Sequence, residues 1–275
     1  MSAAVGKPLL AARGVDLRYP RSERDAVRDL YLDLRQGEIL AILGPNGSGK
    51  STALAGLART LRPRAGQVTF GDTEVWNLSQ KAYSRLVARL PQEPSCPDGL
   101  TVEELVRCGR HPHLRGFGAA GPADRAAVRE ALRWLDLEDL RGRAVARLSG
   151  GERRRAWLAM VLAQGARVVL LDEPTAGLDL KHQCELMELL TRINRERGVT
   201  LGVVLHDVER AARLAHRIAI LHRGRVYAVG EPRRCLTPEM FLDVFGVEVR
   251  IDPAGDEDGG LRLRVLGPGD AIRSL

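Results

Sequence analysis

An apolar run, a glycine-rich segment and a helix-like stretch follow one another early in the chain, and this order restricts the fold more than any other part of the sequence. The run Ile39–Leu43 is followed by Gly44-Pro45-Asn46-Gly47-Ser48-Gly49-Lys50-Ser51. Glycines let the backbone turn tightly and point consecutive N–H groups at a polyphosphate, and the helix N-terminus adds the positive end of its dipole. Lys50 can then reach the outer phosphates, and the Ser51 hydroxyl can ligate Mg²⁺. The pattern predicts a phosphate-binding loop.

Composition limits what the rest of the chain can be. At 275 residues and 44% hydrophobic, the chain can bury a sizeable core as one large domain or as one domain with an inserted subdomain. The apolar runs Val168–Leu171 and Val199–Leu205 are far shorter than the roughly 18 residues that span a bilayer. Met1–Leu10 lacks the basic start and long apolar run of a signal peptide, so we expect a cytosolic location.

The basic charge and the cysteines carry less information. The net charge is +7, but the arginines are spread over the chain and aromatic residues make up only 4%. We therefore interpret the charge as solvated basic faces and expect no nucleic-acid partner. The four cysteines form no C-x-x-C pair, which predicts ordinary reduced thiols. They are Cys96, Cys108, Cys184 and Cys235.

Short apolar runs alternate with longer segments of helical period, which predicts an α/β fold with a largely parallel central sheet. The predicted strands are Ile39–Leu43, Val168–Leu171, Leu201–Leu205 and Ile218–Leu221. Between Gln92 and Leu148 the pattern changes and indicates an inserted helical subdomain. Its predicted elements are helices over Val102–Arg110 and Arg125–Leu135 and a loop around Gly116–Pro122.

The last part of the chain reads as a helix and a hairpin. A helix is predicted over Pro238–Phe245. Two alternating runs, Val247–Ile251 and Leu261–Val265, flank the segment Asp252–Gly260, which is rich in Gly and Asp. This arrangement predicts a terminal β-hairpin.

A pair of carboxylates ends the second predicted strand. Asp172 and Glu173 follow Val168–Leu171, and a strand of an α/β sheet delivers such residues to the edge where ligands bind. Asp172 is suited to hold Mg²⁺ through water or Ser51, and Glu173 is suited to polarise the water that attacks the γ-phosphate. The alternative is that the pair only starts a turn before Pro174.

A third element lies ahead of these carboxylates. It reads Leu148-Ser149-Gly150-Gly151-Glu152 and leads into the arginines Arg153–Arg155. A serine and two glycines before a helix present a hydroxyl and unpaired N–H groups to an anion. By itself the segment could be an N-capped helix, but with the other two elements it points to one family.

With these motifs the chain resembles the ATP-binding subunits of ABC transporters over nearly all of its length. Seven family motifs have matching residues in this sequence. Tyr19 matches the aromatic residue that stacks on adenine, Gly44–Thr52 match the first nucleotide motif, and Gln92 matches the glutamine loop. Ser149–Glu152 match the signature, Asp172 and Glu173 the second nucleotide motif, Gly177–Asp179 the loop that follows it, and His206 the switch histidine.

The resemblance implies a P-loop NTPase core with an N-terminal antiparallel β region and an inserted helical subdomain. We expect a single ABC ATPase domain. Its parts are the α/β core at 1–91 and 156–230, the helical subdomain with the signature at 92–155, and a C-terminal helix and hairpin extension at 231–275.

The resemblance also implies a mechanism. Two subunits pair head to tail, and each ATP lies between one subunit's phosphate loop and the other's signature. Lys50, Glu173 and His206 are then the catalytic residues, and Ser51, Gln92 and Asp172 hold Mg²⁺, partly through water. The other predicted ATP contacts are Tyr19, Gly44, Pro45, Asn46, Gly47, Ser48, Gly49, Thr52, Ser149, Gly150, Gly151 and Asp179.

One position departs from the family pattern. The signature ends in Glu152, where glutamine is common. A carboxylate would be unfavourable beside phosphate, so we expect Glu152 to point away from the nucleotide, toward Arg153–Arg155.

Three further stretches resemble the ATPases of ferric siderophore importers: Cys108–His113, Ala156–Gln164 and Leu178–Gln183. Haem and vitamin B12 importers are close alternatives, and an exporter or a soluble ATPase is a more distant one. The resemblance implies two integral-membrane permease subunits, an extracytoplasmic substrate-binding protein and a peripheral place on the cytoplasmic face of the membrane. His111 and His113 could suggest a metal site, but no carboxylate or cysteine cluster supports one.

Overall fold

The computed structural model describes residues 7–114, 120–253 and 261–269. The strands are β1 (Pro8–Leu17), β2 (Val27–Arg35), β3 (Ile39–Leu43), β4 (Ala65–Phe70), β5 (Thr73–Glu74), β6 (Val87–Leu90), β7 (Val168–Asp172), β8 (Thr200–Val204), β9 (Arg217–His222), β10 (Arg225–Gly230), β11 (Val247–Pro253) and β12 (Leu261–Pro268).

The helices alternate with these strands. They are α1 (Lys50–Leu57), α2 (Gln80–Ser84), α3 (Val102–Cys108), α4 (Pro122–Trp134), α5 (Gly150–Ala163), α6 (Leu180–Arg197), α7 (Val208–Leu214), α8 (Pro232–Cys235) and α9 (Pro238–Met240), with 3₁₀ turns at Val75–Asn77, His111–His113, Glu138–Leu140 and Val145–Arg147 and a π-helical turn at Phe241–Phe245.

Two compact units divide the chain. The first combines Met1–Glu74 with Thr200–Leu275, and the second is Val75–Val199. The division of the sequence into a core at 1–91 and 156–230 and a helical subdomain at 92–155 stays a prediction.

The first unit is built on parallel strands that are buried at nearly every position. β3 lies between β8 and β9 and runs parallel to both, and β10 is antiparallel to β9. All five residues of β3 and all five of β8 are buried. Strands covered on both faces read as continuous apolar runs. For this reason the predicted strands of this unit are confirmed, with end shifts of one residue in β8 and β9.

An antiparallel sheet forms the N-terminal part of the same unit, in the order β2-β1-β4-β5. β2 alternates buried and exposed positions over much of its length, as expected for a sheet with one wet face. The predicted N-terminal antiparallel β region is therefore confirmed.

The C-terminal helix and hairpin are also present in the first unit. β11 and β12 pair antiparallel, with Val249 opposite Val265. The backbone N–H of Leu263 donates to Glu209 Oε1 at 2.7 Å, which fastens the hairpin to α7. The predicted connection Asp252–Gly260 lies outside the described residues from position 254 onward. The predicted helix Pro238–Phe245 forms as α9 and the π-helical turn.

The second unit combines a parallel strand pair with packed helices. β6 and β7 are parallel, with Leu90 beside Leu171. The helices α3, α4 and α5 contact one another, and α3 and α4 correspond to the two predicted helices. α4 begins at Pro122 rather than at the predicted Arg125, because proline is favoured in the first turn, where its missing N–H costs nothing. The predicted loop at Gly116–Pro122 falls largely on positions 115–119, outside the described residues.

Candidate nucleotide-binding and catalytic residues

The phosphate loop connects β3 to α1 and is closed around a lysine. Lys50 is the first residue of α1, is 5% exposed, and donates from Nζ to the carbonyl oxygens of Gly44 and Pro45, each at 2.9 Å. These bonds place the ammonium group across the mouth of the loop. A bound phosphate oxygen is a stronger, charged acceptor and can replace either carbonyl.

The glycine at the start of this loop has no room for a side chain. A Cβ on Gly44 would lie 2.2 Å from the carbonyl oxygen of Leu221 and 2.7 Å from Ser48 Oγ, and its φ is +145°. Gly47 has a φ of +76° with nothing within 4 Å of a Cβ. The two glycines therefore differ in crowding while both have positive φ.

We expect Gly44→Ala to destabilise the protein more than Gly47→Ala. Backbone crowding adds to conformational strain only at Gly44, so we expect a loss of about 3 kcal/mol in unfolding free energy against about 1 kcal/mol. Thermal denaturation of the two variants measures this difference. Equal decreases in Tm for the two variants would contradict the claim that the backbone around Gly44 leaves no room for a Cβ.

Tyr19 and His206 belong to the same unit as the phosphate loop. The Thr52 hydroxyl, in α1, donates to the Tyr19 hydroxyl at 3.5 Å, and Tyr19 is 46% exposed. An exposed aromatic face beside the loop suits a stacked base. Exposed His206 follows β8, which lies parallel to β3 with Val204 beside Ile42. The carboxyl ends of parallel strands share one edge, so His206 and the loop lie at the same edge.

The predicted carboxylates lie in the second unit, where they have partners. Asp172 ends β7, is 3% exposed, and its Oδ2 accepts from Arg89 Nη2 at 3.2 Å. Gln92 Nε2 donates to Glu173 Oε2 at 2.8 Å. Glu173 has a φ of +48°, in the left-handed region that residues with a Cβ avoid. A residue held there at the end of a strand marks a local constraint of the kind found at functional sites.

The predicted metal ligands all bind through oxygen atoms, which suit a magnesium ion better than a transition metal. Mg²⁺ takes oxygen ligands, usually one or two carboxylates together with waters and substrate phosphates. Asp172 offers a carboxylate, Gln92 an amide oxygen and Ser51 a hydroxyl. Over the described residues, no group of three or more His, Cys, Asp or Glu side chains could hold a metal by itself. The His113 ring bonds to the Gln164 carbonyl oxygen at 2.8 Å, a structural partner.

The signature segment begins α5 with a reciprocal cap. Ser149 Oγ accepts from the Glu152 N–H at 3.2 Å, and Glu152 Oε2 accepts from the Ser149 N–H at 2.8 Å. We expected Glu152 to turn toward Arg153–Arg155. Instead it folds back on Ser149, because this closes the capping box and satisfies two N–H groups at the helix start. The backbone and side-chain hydrogen bonds of Ser149 lower the pKa of Glu152, with smaller effects of Arg143 and Arg155.

Asp179 and the signature glycine are joined through one histidine. Asp179 Oδ1 caps α6, accepting from the His182 N–H at 2.9 Å, and contacts His182 Nδ1 at 2.7 Å. The hydrogen bonds with the backbone and ring of His182 lower the pKa of Asp179. A Cβ on Gly151 would lie 2.7 Å from His182 Cδ2, so the ring packs on this glycine. Ser149 and Gly150 are exposed.

Sequence reasoning missed two arginines of the second unit. Arg89 pairs with Asp172, and Arg154 is 9% exposed and donates to the main-chain carbonyls of Glu173 and Pro174. A charged residue inside the apolar run Val87–Leu90 was a signal for the first. For Arg154 the local sequence gave no signal, because it lies among two other arginines.

Among the described residues, none of the helices combines the length and the apolar character that a membrane span requires.

Residues 27–176 match the protein family described as ABC transporter. The iron(3+)-hydroxamate import ATP-binding protein FhuC of Bacillus subtilis (strain 168) is 42% identical over 229 residues, which cover 83% of this chain and 85% of FhuC.

Solved structures give the same family. A structure assigned to the metal-chelate type of ABC transporter, in an inward-facing conformation, has a TM-score of 0.80 at 28% identity and covers 94% of this chain and 97% of its own. A dimeric ATP-binding cassette in a post-hydrolysis state, bound to ADP and Pi, has a TM-score of 0.71 at 29% identity, covering 82% and 99%.

Proposed function

Because this chain belongs to the ABC transporter family, we propose that it is the ATPase subunit of an importer and drives the uptake of iron chelates, ferric siderophores foremost. The observation that carries the ATPase assignment is the phosphate loop, with buried Lys50 held across its mouth. The cargo rests on the 42% identity to an iron(3+)-hydroxamate import protein.

In this proposal the residues of the phosphate loop bind the polyphosphate through their N–H groups, and Lys50 contacts its outer oxygens. Tyr19 stacks on the base. Glu173 accepts a proton from the attacking water, and His206 contacts the γ-phosphate and holds that water in line. Gln92 Nε2 donates to Glu173 Oε2 at 2.8 Å, and the amide oxygen of Gln92 is the atom that would bind Mg²⁺.

Magnesium is part of the same proposal. Ser51, Asp172 and Gln92 are the residues that would hold it, directly or through water. When bound, the ion neutralises charge on the phosphates during transfer. Asp172 Oδ2 lies 3.2 Å from Arg89 Nη2, and this carboxylate would be the acidic ligand of the ion.

The subunit works as a dimer with membrane partners. Ser149 and Gly150 are exposed at the start of α5, available to the nucleotide of a second copy, and Asp179 is 65% exposed. The related cassette bound to ADP and Pi is dimeric. We further propose two permease subunits, an extracytoplasmic substrate-binding protein and a peripheral place at the cytoplasmic face of the membrane.

One of the stretches that resemble siderophore importers contributes to the packing of the helices. Arg110 pairs with Asp124 at 3.0 Å and donates to the carbonyl of Ala163 at 2.7 Å. These contacts connect the turn that follows α3 to α4 and α5. The stretches therefore support the cargo assignment only through their resemblance to siderophore importers. In this proposal the binding protein and the permeases recognise the cargo.

Growth on a defined iron source tests the cargo. Cells whose chromosomal copy carries Lys50→Ala should fail to grow when a ferric siderophore is the sole iron source and should grow normally with excess ferric salt. A strain with Lys181→Ala is the control, because that side chain is 79% exposed and its partner is Glu185 on the same helix. Growth of the Lys50→Ala strain on the siderophore would contradict iron-chelate import.

The competing class is a soluble ATPase that works without a membrane partner. Purification of the tagged protein from solubilised membranes separates the two classes. We expect two integral-membrane subunits to copurify in equal amount. Recovery of the protein from the soluble fraction alone would favour the soluble class.

A further inference from the structure

Arg154 is a buried cation whose guanidinium donates to four main-chain carbonyl oxygens among the described residues. It lies in the first turns of α5 and is 9% exposed. Its guanidinium donates to the carbonyls of Glu173 at 2.6 Å and Pro174 at 2.7 Å, of Gln92 at 3.0 Å and, more weakly, of Asp172 at 3.5 Å. One side chain thus contacts two segments that the sequence separates widely.

These carbonyls lie on both sides of a strained residue. Glu173 has a φ of +48°, a backbone conformation unfavourable for a residue with a Cβ. Such a conformation persists only when its surroundings fix it. The carbonyls of residues 172, 173 and 174 all accept from Arg154, so the guanidinium fixes the turn that aims the Glu173 side chain.

The same guanidinium also fixes the residue that bonds to that side chain. Arg154 Nη1 holds the Gln92 carbonyl, while Gln92 Nε2 donates to Glu173 Oε2 at 2.8 Å. The backbone of Glu173 and the partner of its carboxylate are therefore held by one group. A rigid fork of donors suits this task, and the single ammonium of lysine reaches fewer of the acceptors.

The charge of Arg154 is retained at a cost. Burial lowers the pKa of its guanidinium, and the negative charges of Asp172 and Glu173 act in the opposite direction. A buried guanidinium without acceptors would be strongly unfavourable. The carbonyls of Gln92, Glu173 and Pro174 supply these acceptors. The Arg154 side chain and the turn at Glu173 therefore stabilise each other.

We propose that Arg154 is a positioning residue for ATP hydrolysis, which holds Glu173 and Gln92 in their working geometry from the helix that carries the signature. The inference rests on the proposed function, since it needs Glu173 to act on the attacking water. It also joins the capped Ser149 end of α5 to the hydrolytic carboxylate of the same chain. Because Arg154 acts through Glu173, its loss affects hydrolysis and leaves ATP binding in place.

Steady-state ATP hydrolysis by the full-length protein tests this. We expect Arg154→Met to lower kcat about 30-fold and Arg154→Lys about 10-fold, with the KM for ATP changed less than about threefold. Arg153→Met is the matched control, because Arg153 precedes Arg154 on the same helix and is exposed. We expect it to stay within about twofold of the wild-type rate.

A double-mutant cycle separates positioning from a general loss of structure. In the Glu173→Gln background, with single-turnover hydrolysis of labelled ATP, Arg154→Met should cost no more than about twofold. An equal loss in both backgrounds would overturn the proposal. Should Arg154→Met fail to fold, Arg154→Lys takes its place in the cycle.

The wild-type rate keeps the two hypotheses apart. If the wild type hydrolyses ATP and the Arg154 variants match it, the inference fails and the proposed function stands. If the wild type does not hydrolyse ATP under any condition that supports binding, the proposed function fails and the inference with it.

Discussion

Replacing Lys50 with alanine is expected to lower ATP hydrolysis by at least about 100-fold and to weaken ATP binding. The ammonium group is buried and held at 2.9 Å by the carbonyls of Gly44 and Pro45. In the variant these carbonyls stay at the mouth of the loop and repel the phosphates, while the cation that would neutralise them is gone. Steady-state hydrolysis and the fluorescence of a labelled ATP analogue measure the two effects.

Lys181→Ala is the control for this variant. It removes the same side chain from an exposed position on α6, where Lys181 pairs with Glu185 at 3.7 Å. Exposed pairs of this kind contribute little to stability, so hydrolysis should stay near the wild-type rate. A Lys50→Ala protein as active as Lys181→Ala would contradict the assignment of the phosphate loop.

Glu173→Gln is expected to abolish turnover while ATP binding persists. An amide has nearly the same shape as the carboxylate but takes up no proton from water, so we expect kcat to fall at least about 100-fold. Its side-chain oxygen can still accept from Gln92 Nε2, which keeps the local geometry. Because the ATP that connects two subunits is no longer hydrolysed, an ATP-bound dimer should accumulate.

Size-exclusion chromatography with light scattering detects that dimer. We expect it with Mg²⁺-ATP and not with Mg²⁺-ADP. Glu103→Gln is the control, because Glu103 of α3 has a side chain that is 44% exposed and is paired with Arg107; this change should leave both turnover and mass unchanged. A Glu173→Gln protein that stays monomeric at saturating ATP would count against a nucleotide-linked dimer.

The parts of the fold that local patterns determine could be predicted from the sequence. Ile39–Leu43 is a strand with the predicted ends, because a run buried on both faces is apolar at every position. Val102 starts α3 as predicted, because Thr101 and Glu104 form a capping box there. In both cases residues that are adjacent in the sequence determine where the element begins.

The contacts around the carboxylates could not be predicted in the same way. Arg89 and Asp172 are 83 positions apart, and Arg154 and Gln92 are 62 apart. Only the folded chain brings such pairs together, so no local pattern encodes them. Glu152 is a different case, because Ser149 and Glu152 are three positions apart and form a local capping-box pattern. The prediction that Glu152 points toward Arg153–Arg155 considered charge attraction but not the N–H groups at the helix start.

The measurement that tests the central claim most directly is uptake of radiolabelled ferric siderophore by cells whose chromosomal copy carries Lys50→Ala, with labelled haem and cobalamin in parallel. A plasmid copy of the wild type serves to restore the activity. We predict a selective loss of siderophore uptake that the plasmid reverses. Selective loss of haem or cobalamin uptake would keep an importer and change its cargo, and unchanged uptake of all three would contradict the import function.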